Sequence, residues 1–164
     1  MRIVPATERD LPAIVHLVRQ LALYEKLEHA MVASQDDFRQ ALFGSERAAH
    51  ALMAFADDAP VGFALYFYNF STFLGKRGIY LEDIFVEPEY RGHGIGSDLL
   101  KRLALIAQEQ NCGRLEWAVL TWNQPSIDFY HQLGAVTLDD WRIFRLHGEA
   151  LERLAAGAGG KDAR

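Results

Sequence analysis

Cysteine is almost missing from this chain: Cys112 is the only one in 164 residues, so no disulfide can form within the chain and a reducing, cytoplasmic location is the expectation. No apolar run reaches membrane-spanning length and no signal-peptide pattern is read, so no membrane partner is expected. Positive charge is not in excess. Lys plus Arg number 17 against 22 for Asp plus Glu, a net charge of -5; this balance argues against nucleic-acid binding and is compatible with a cationic substrate. The six His residues show no ligand spacing with Cys or carboxylates, so no metal is expected. Two well-known phosphate-binding signatures are also missing. There is no Gly-x-x-x-x-Gly-Lys-Ser/Thr, and Gly92-x-Gly94-x-Gly96 lacks the spacing of the Gly-x-Gly-x-x-Gly of dinucleotide folds.

What the chain has is a strong centre. Leu81-Glu82-Asp83-Ile84-Phe85-Val86 reads as an apolar strand carrying two carboxylates, followed by a Pro88 turn, a glycine-dense loop and an amphipathic helix from Ile95. Glycines at 92, 94 and 96 remove the Cβ atoms that would block a ligand and let successive N–H groups converge. The unpaired N–H groups and the dipole of the helix start add to that anion cradle, and Arg91 adds a fixed positive charge.

The chain is half hydrophobic, enough for one domain, expected over residues 1–154, with 155–164 as a disordered tail. Arg2 to Pro5 reads as an edge strand. Thr7 and Asp10 form a cap-like pair before a helix ending near Tyr24, and Ser34 caps a shorter one that Gly44 ends. His50 to Ala56 and Val61 to Phe70 make an antiparallel hairpin, with Ser71 to Gly78 as a loop and Ile79 to Val86 as the central strand. The helix from Ile95 runs to about Gln110, and a strand from Arg114 to Leu120 follows parallel to the central one. Pro125 opens a further helix that Gly134 ends, Ala135 to Leu138 and Trp141 to Leu146 form a last hairpin, and Glu149 to Leu154 a last helix.

Arg91-Gly92-His93-Gly94-Ile95-Gly96 resembles the Arg/Gln-x-x-Gly-x-Gly/Ala signature of the GNAT superfamily of N-acetyltransferases. Tyr80-Leu81-Glu82-Asp83-Ile84, Trp122-Asn123-Gln124-Pro125-Ser126-Ile127-Asp128-Phe129-Tyr130 and Leu133-Gly134-Ala135 are similar to the diamine (spermidine/spermine) and thialysine branch, and the likeness runs from about Ile3 to Leu154. The resemblance implies an α/β GNAT fold: a central twisted mixed sheet with splayed parallel strands, flanked by helices. It implies acetyl-CoA as co-substrate, its pyrophosphate gripped by Arg91 to Ser97 (with His93 and Ile95 in the loop) and its pantetheine arm bonded to the backbone of Ile84, Phe85 and Val86. Asn123, Pro125, Ser126 and Tyr130 complete the implied coenzyme set, and a homodimer is implied as well.

Acetyl transfer to an amine whose pKa is near 10 needs a base. Glu82, beside the cradle, where partial burial is expected to raise its pKa, suits that task directly or through water, and a structural carboxylate is the alternative. Asp83 faces the other side of a regular strand, so only a bulge lets both carboxylates reach one substrate. Tyr130 matches the branch's catalytic tyrosine, the acid for the leaving thiolate, and a backbone N–H near Phe85 would hold the oxyanion. Tyr24, Glu25, Glu82, Asp83, Glu116, Trp117, Asp139 and Trp141 form the implied amine-binding set. Ala118-Val119-Leu120 and Gly148-Glu149-Ala150 look more like the thialysine sub-branch, so a lysine-like or short diamine substrate stands beside a polyamine. Other acceptors (a protein N-terminus, an aminoglycoside, an amino acid) and a non-catalytic acyl-CoA sensor remain the alternatives.

Overall fold

A computed structural model describes residues 1–158. The chain divides into two compact units, Met1–Thr121 and Trp122–Arg164. The first unit holds a five-stranded sheet in the order β1-β2-β3-β4-β5, with β1 Arg2–Pro5, β2 His50–Ala56, β3 Ala59–Ser71, β4 Lys76–Val86 and β5 Leu115–Trp117. All neighbours run antiparallel except β4 and β5, which are parallel.

Helices flank this sheet, and their starts follow from local chemistry. Thr7 and Asp10 close the expected capping box before α1 (Leu11–Glu25), as Ser34 and Asp37 do before α2 (Gln35–Phe43). Bonds from Ser34 hold the Asp37 carboxyl below its usual range. Ile14, Leu17 and Leu21 of α1 and Leu42 of α2 pack on Met53, Phe63, Leu65 and Phe85 at one face of the sheet. Alternation puts Leu52, Ala64, Ile79 and Leu81 on the other face, against which α3 (Ile95–Glu109) lays Leu99 and Leu103. Each such side chain stabilises the fold by roughly 1.5–3 kcal/mol relative to exposure. Buried from both sides, β4 is a rigid platform for the groups it carries.

Several element boundaries differ from those expected. Lys76 and Arg77 are strand residues paired with Ser71 and Phe70, because the β3–β4 ladder continues to its turn. The last strand of the first unit is Leu115–Trp117, shorter than 114–120.

In the second unit, α4 (Gln124–Gln132) begins with Asn123 as its side-chain cap and Pro125 in its first turn. Gly134, with φ of 87°, follows its end. The hairpin expected over 135–146 does not form among the described residues. That stretch has no strand, and the Trp141 N–H bonds to Leu138 O at 3.1 Å in a turn. Its apolar residues suit a half-buried pleated surface, yet Val136, Ile143 and Phe144 are 80, 77 and 91% exposed. α5 (Gly148–Ala158) runs four residues into the stretch expected to be disordered, and the remainder of that stretch, 159–164, lies outside the described residues.

Candidate active site

The centre of the first unit is a defect in β4. Along the β3–β4 ladder Leu65 pairs with Asp83 and Tyr66 with Leu81, so Glu82 is the extra residue of a β-bulge. A bulge resets the alternation of side chains. Tyr80, Asp83 and Phe85 therefore share the face on which α1 packs, and Glu82 stands among them.

A second break lies at the same level. The parallel β4–β5 ladder ends at Leu81 and Trp117, whereas β3 accompanies β4 as far as Val86. From Glu82 to Val86 β4 has no strand beside it on the β5 side among the described residues. β5 thus ends where the two strands were expected to splay apart, and Ile84, Phe85 and Val86 lie along the unpaired edge of β4.

Carboxylates gather at this opening. Burial, then the charges of Glu82 and Glu25, push the Asp83 carboxyl up to about 6. Burial also raises Glu25, which ends α1 just before the left-handed Lys26 (φ of 60°). Glu82 itself is exposed. The fold thus joins three residues of the implied amine set, Glu25, Glu82 and Asp83, with Tyr24 one position before Glu25. Their common negative field suits a cation, and an ionised carboxylate whose pKa is about 6 can accept a proton near neutrality.

The cradle follows directly. Gly92 and Gly94 have φ of 78° and 82°, and a Cβ on either would meet nothing within 4 Å. These glycines are required by backbone conformation and leave the loop open to an approaching group. No side chain caps α3, so its first N–H groups, around Ile95, Gly96 and Ser97, remain available to an anion. Arg91 is turned toward the strand. Its Nε donates to Val86 O at 2.9 Å, and its guanidinium lies 4.9 Å from the Tyr24 ring and 5.2 Å from that of Phe85. The end of α1 is in this way tied to the loop, with a second tie between His16 and Glu87 at 3.1 Å. His93 is held at 3.3 Å from Tyr90 O.

Glu116 takes a different set of partners. It lies opposite Tyr80, 2.9 Å from Arg114 Nε, and accepts from Asn69 Nδ2 at 3.3 Å. Neither Arg114 nor Asn69 was singled out from the sequence, although the period-two spacing of Arg114 and Glu116 places both on one face of a strand. Trp117 closes the ladder against Leu81. In the second unit, Asn123 is buried and accepts from the Ser126 N–H at the start of α4. Tyr130 lies on that helix, its ring 5.5 Å from Phe129. Asp139 is exposed in a turn, and Trp141 is exposed two residues on.

A family model described as the acetyltransferase (GNAT) family matches residues 13–135. The chain is 43% identical to a thialysine N-epsilon-acetyltransferase of Bos taurus, over 92% of this chain and 94% of that one. It is 33% identical to an L-ornithine N5-acetyltransferase of Arabidopsis thaliana, over 93% and 87% respectively. Among solved structures, an integron cassette protein from the mobile metagenome of V. cholerae superposes with a TM-score of 0.79 at 29% identity, covering 94% of this chain and 96% of that one.

Proposed function

This chain belongs to the acetyltransferase (GNAT) family and is an acetyl-CoA-dependent N-acetyltransferase, and from that premise we propose that it acetylates a primary amine of a lysine-like amino acid or of a short di- or polyamine. The observation that carries this proposal is the carboxylate group of Glu25, Glu82 and Asp83, set at a bulge where β4 loses its neighbour and beside an open anion cradle. Two relatives, named for thialysine and ornithine, support an acceptor amine on an amino-acid chain.

The loop fits the pyrophosphate of acetyl-CoA, since its glycines are open and the helix start is uncapped. In this proposal the N–H groups from Gly92 to Ser97 hold the phosphates, and the backbone of Ile84, Phe85 and Val86 takes the pantetheine arm. Asn123, Pro125 and Ser126 join the coenzyme set. Bound acetyl-CoA supplies a thioester whose carbonyl carbon an amine can attack.

The chain's own groups move the protons. A substrate ammonium is drawn to the carboxylates, and Glu82 or its neighbour Asp83 removes one proton, directly or through water. The freed nitrogen forms the amide bond as the carbon–sulfur bond breaks. The Tyr130 hydroxyl gives its proton to the departing sulfur and is restored by the second proton that the new amide nitrogen sheds. No covalent acetyl-enzyme is needed, and Cys112 has no part. We place the enzyme in the cytoplasm as a homodimer.

The test is acetyl-CoA-dependent acetylation, read by mass spectrometry, across putrescine, spermidine, spermine, L-lysine, L-ornithine, thialysine, an aminoglycoside and an N-terminal peptide. Acetylation of a lysine-like or short diamine substrate is expected, with kcat lowered by about 100-fold or more in Tyr130→Phe. Coenzyme binding without turnover of any amine would instead favour a sensor.

A further inference from the structure

One charged set on the α1 face of the sheet lies outside the carboxylate group at the bulge. Next to Tyr80 comes Gly78, flanked by Asn69 of β3 and by Arg114 just before β5. The rings of Phe67 and Tyr80 stack at 5.2 Å and form an aromatic floor between this set and Asp83. Arg114 and Glu116 meet at 2.9 Å with side chains 35% and 30% exposed, so part of each side chain reaches solvent. Their pairing is not a well-made bond. Arg114 Nε is close to Glu116 but not aligned as a hydrogen bond, and it and Asn69 Oδ1 are closed off from solvent with no hydrogen-bond partner among the described residues. The glycine at 78 lets Asn69 and Arg114 close over the strand: a Cβ there would overlap Asn69 Oδ1 and come within 2.9 Å of Arg114 Cγ.

We infer, on the strength of the amine acetylation proposed above, that Arg114 and Glu116 form the subsite for the α-amino-acid head of the acceptor, Arg114 taking its carboxylate and Glu116 its α-ammonium. The spacing suits such a molecule. From Asp83 to the level of Tyr80 and Glu116 is three residues of β4, roughly 7–10 Å at about 3.3 Å per residue. An extended lysine-like side chain spans roughly 6 Å between its terminal nitrogen and its α-carbon, so the amine can rest at the bulge while the head lies by Glu116. The charges suit it too. An amino-acid head brings one anion and one cation side by side, matching the Arg114–Glu116 pair in opposite sense, and guanidinium–carboxylate contacts are among the stronger polar interactions. A plain diamine brings a second cation next to Arg114, which discriminates against it. The competing role is a structural clamp between β3 and β5 through the Asn69–Glu116 bond, which has no bearing on the substrate's carboxylate.

The experiment compares kcat/KM for thialysine with that for its decarboxylated analogue, bis(2-aminoethyl) sulfide, in the wild type, Arg114→Gln and Arg114→Lys. The wild type is expected to prefer thialysine, and the ratio to fall about tenfold in Arg114→Gln and less in Arg114→Lys. Thialysine amide, which lacks the anion, reads the same contact in the unaltered protein and should lose a comparable factor. A ratio unchanged in Arg114→Gln, a wild type that prefers the diamine, or an amide used as well as the acid overturns the subsite and leaves amine acetylation standing. Turnover of neither amine by the wild type overturns both.

Discussion

Asp83 is held at a disadvantage by the fold. Burial and the nearby Glu82 and Glu25 raise its pKa from 3.8 to about 6, so ionising it costs the folded state more than the unfolded one. Because the folded value is the higher, Asp83's contribution is fully present below the unfolded pKa and is lost as pH rises through about 6. Asp83→Asn removes the charge and should raise Tm at pH 8, by up to about 3 kcal/mol of stability. That gain should vanish below about pH 4, where aspartate is protonated in both states. Thermal melts of both proteins at the two pH values check it, and a gain of equal size at each would show that the charge is not the cause. Activity should move the other way, with the wild type's kcat/KM rising through about pH 6 and the variant's rise lost. The sequence points to Glu82 as the carboxyl that partial burial would raise, whereas in the fold burial raises Asp83 and Glu82 is left exposed. Which one is perturbed depends on neighbours such as Glu25, 58 residues earlier in the chain, which only the fold brings near.

At the scale of elements, strands and helices with strong periodicity stand where the sequence puts them: β2 begins and ends at the expected residues, and α3 starts at Ile95. From the residues alone the bulge was legible as no more than a condition, because an extra residue breaks no local rule and shows itself only through the register of a partner strand. The hairpin over 135–146 failed for a related reason, since its β-favouring residues find no neighbouring strand among the described residues. The cradle loop offers a sharper test of what its glycines do. Gly94 and Gly75 both have positive φ, 82° and 61°, with nothing within 4 Å of a Cβ. Alanine at either should cost about 1 kcal/mol from backbone strain alone. Only Gly94→Ala, at the cap of α3, should also raise the KM for acetyl-CoA, by roughly tenfold. Equal rises in the two variants would mean that the loop's conformation has no special bearing on the coenzyme.

For the molecule as a whole, the question is what covers the second unit. Val136, Trp141, Ile143 and Phe144 are 75 to 91% exposed within 9 residues, in a segment with no strand pairing among the described residues. Large apolar side chains grouped in this way usually meet a partner, and residues of high β-propensity with free backbone can add to another sheet. A second copy of this chain supplies such a surface, consistent with the homodimer proposed above. Ile143→Asp combined with Phe144→Asp puts two charges into that segment at side chains that are 77% and 91% exposed. The double variant should therefore keep the first unit folded, with its far-ultraviolet spectrum and Tm close to those of the parent. Light scattering behind size exclusion should show the wild type at twice the 18.5 kDa chain mass and the variant at that mass. If the wild type is already monomeric, the homodimer is wrong. If the variant stays dimeric, the copies meet through another face, and the exposed stretch must serve a different contact.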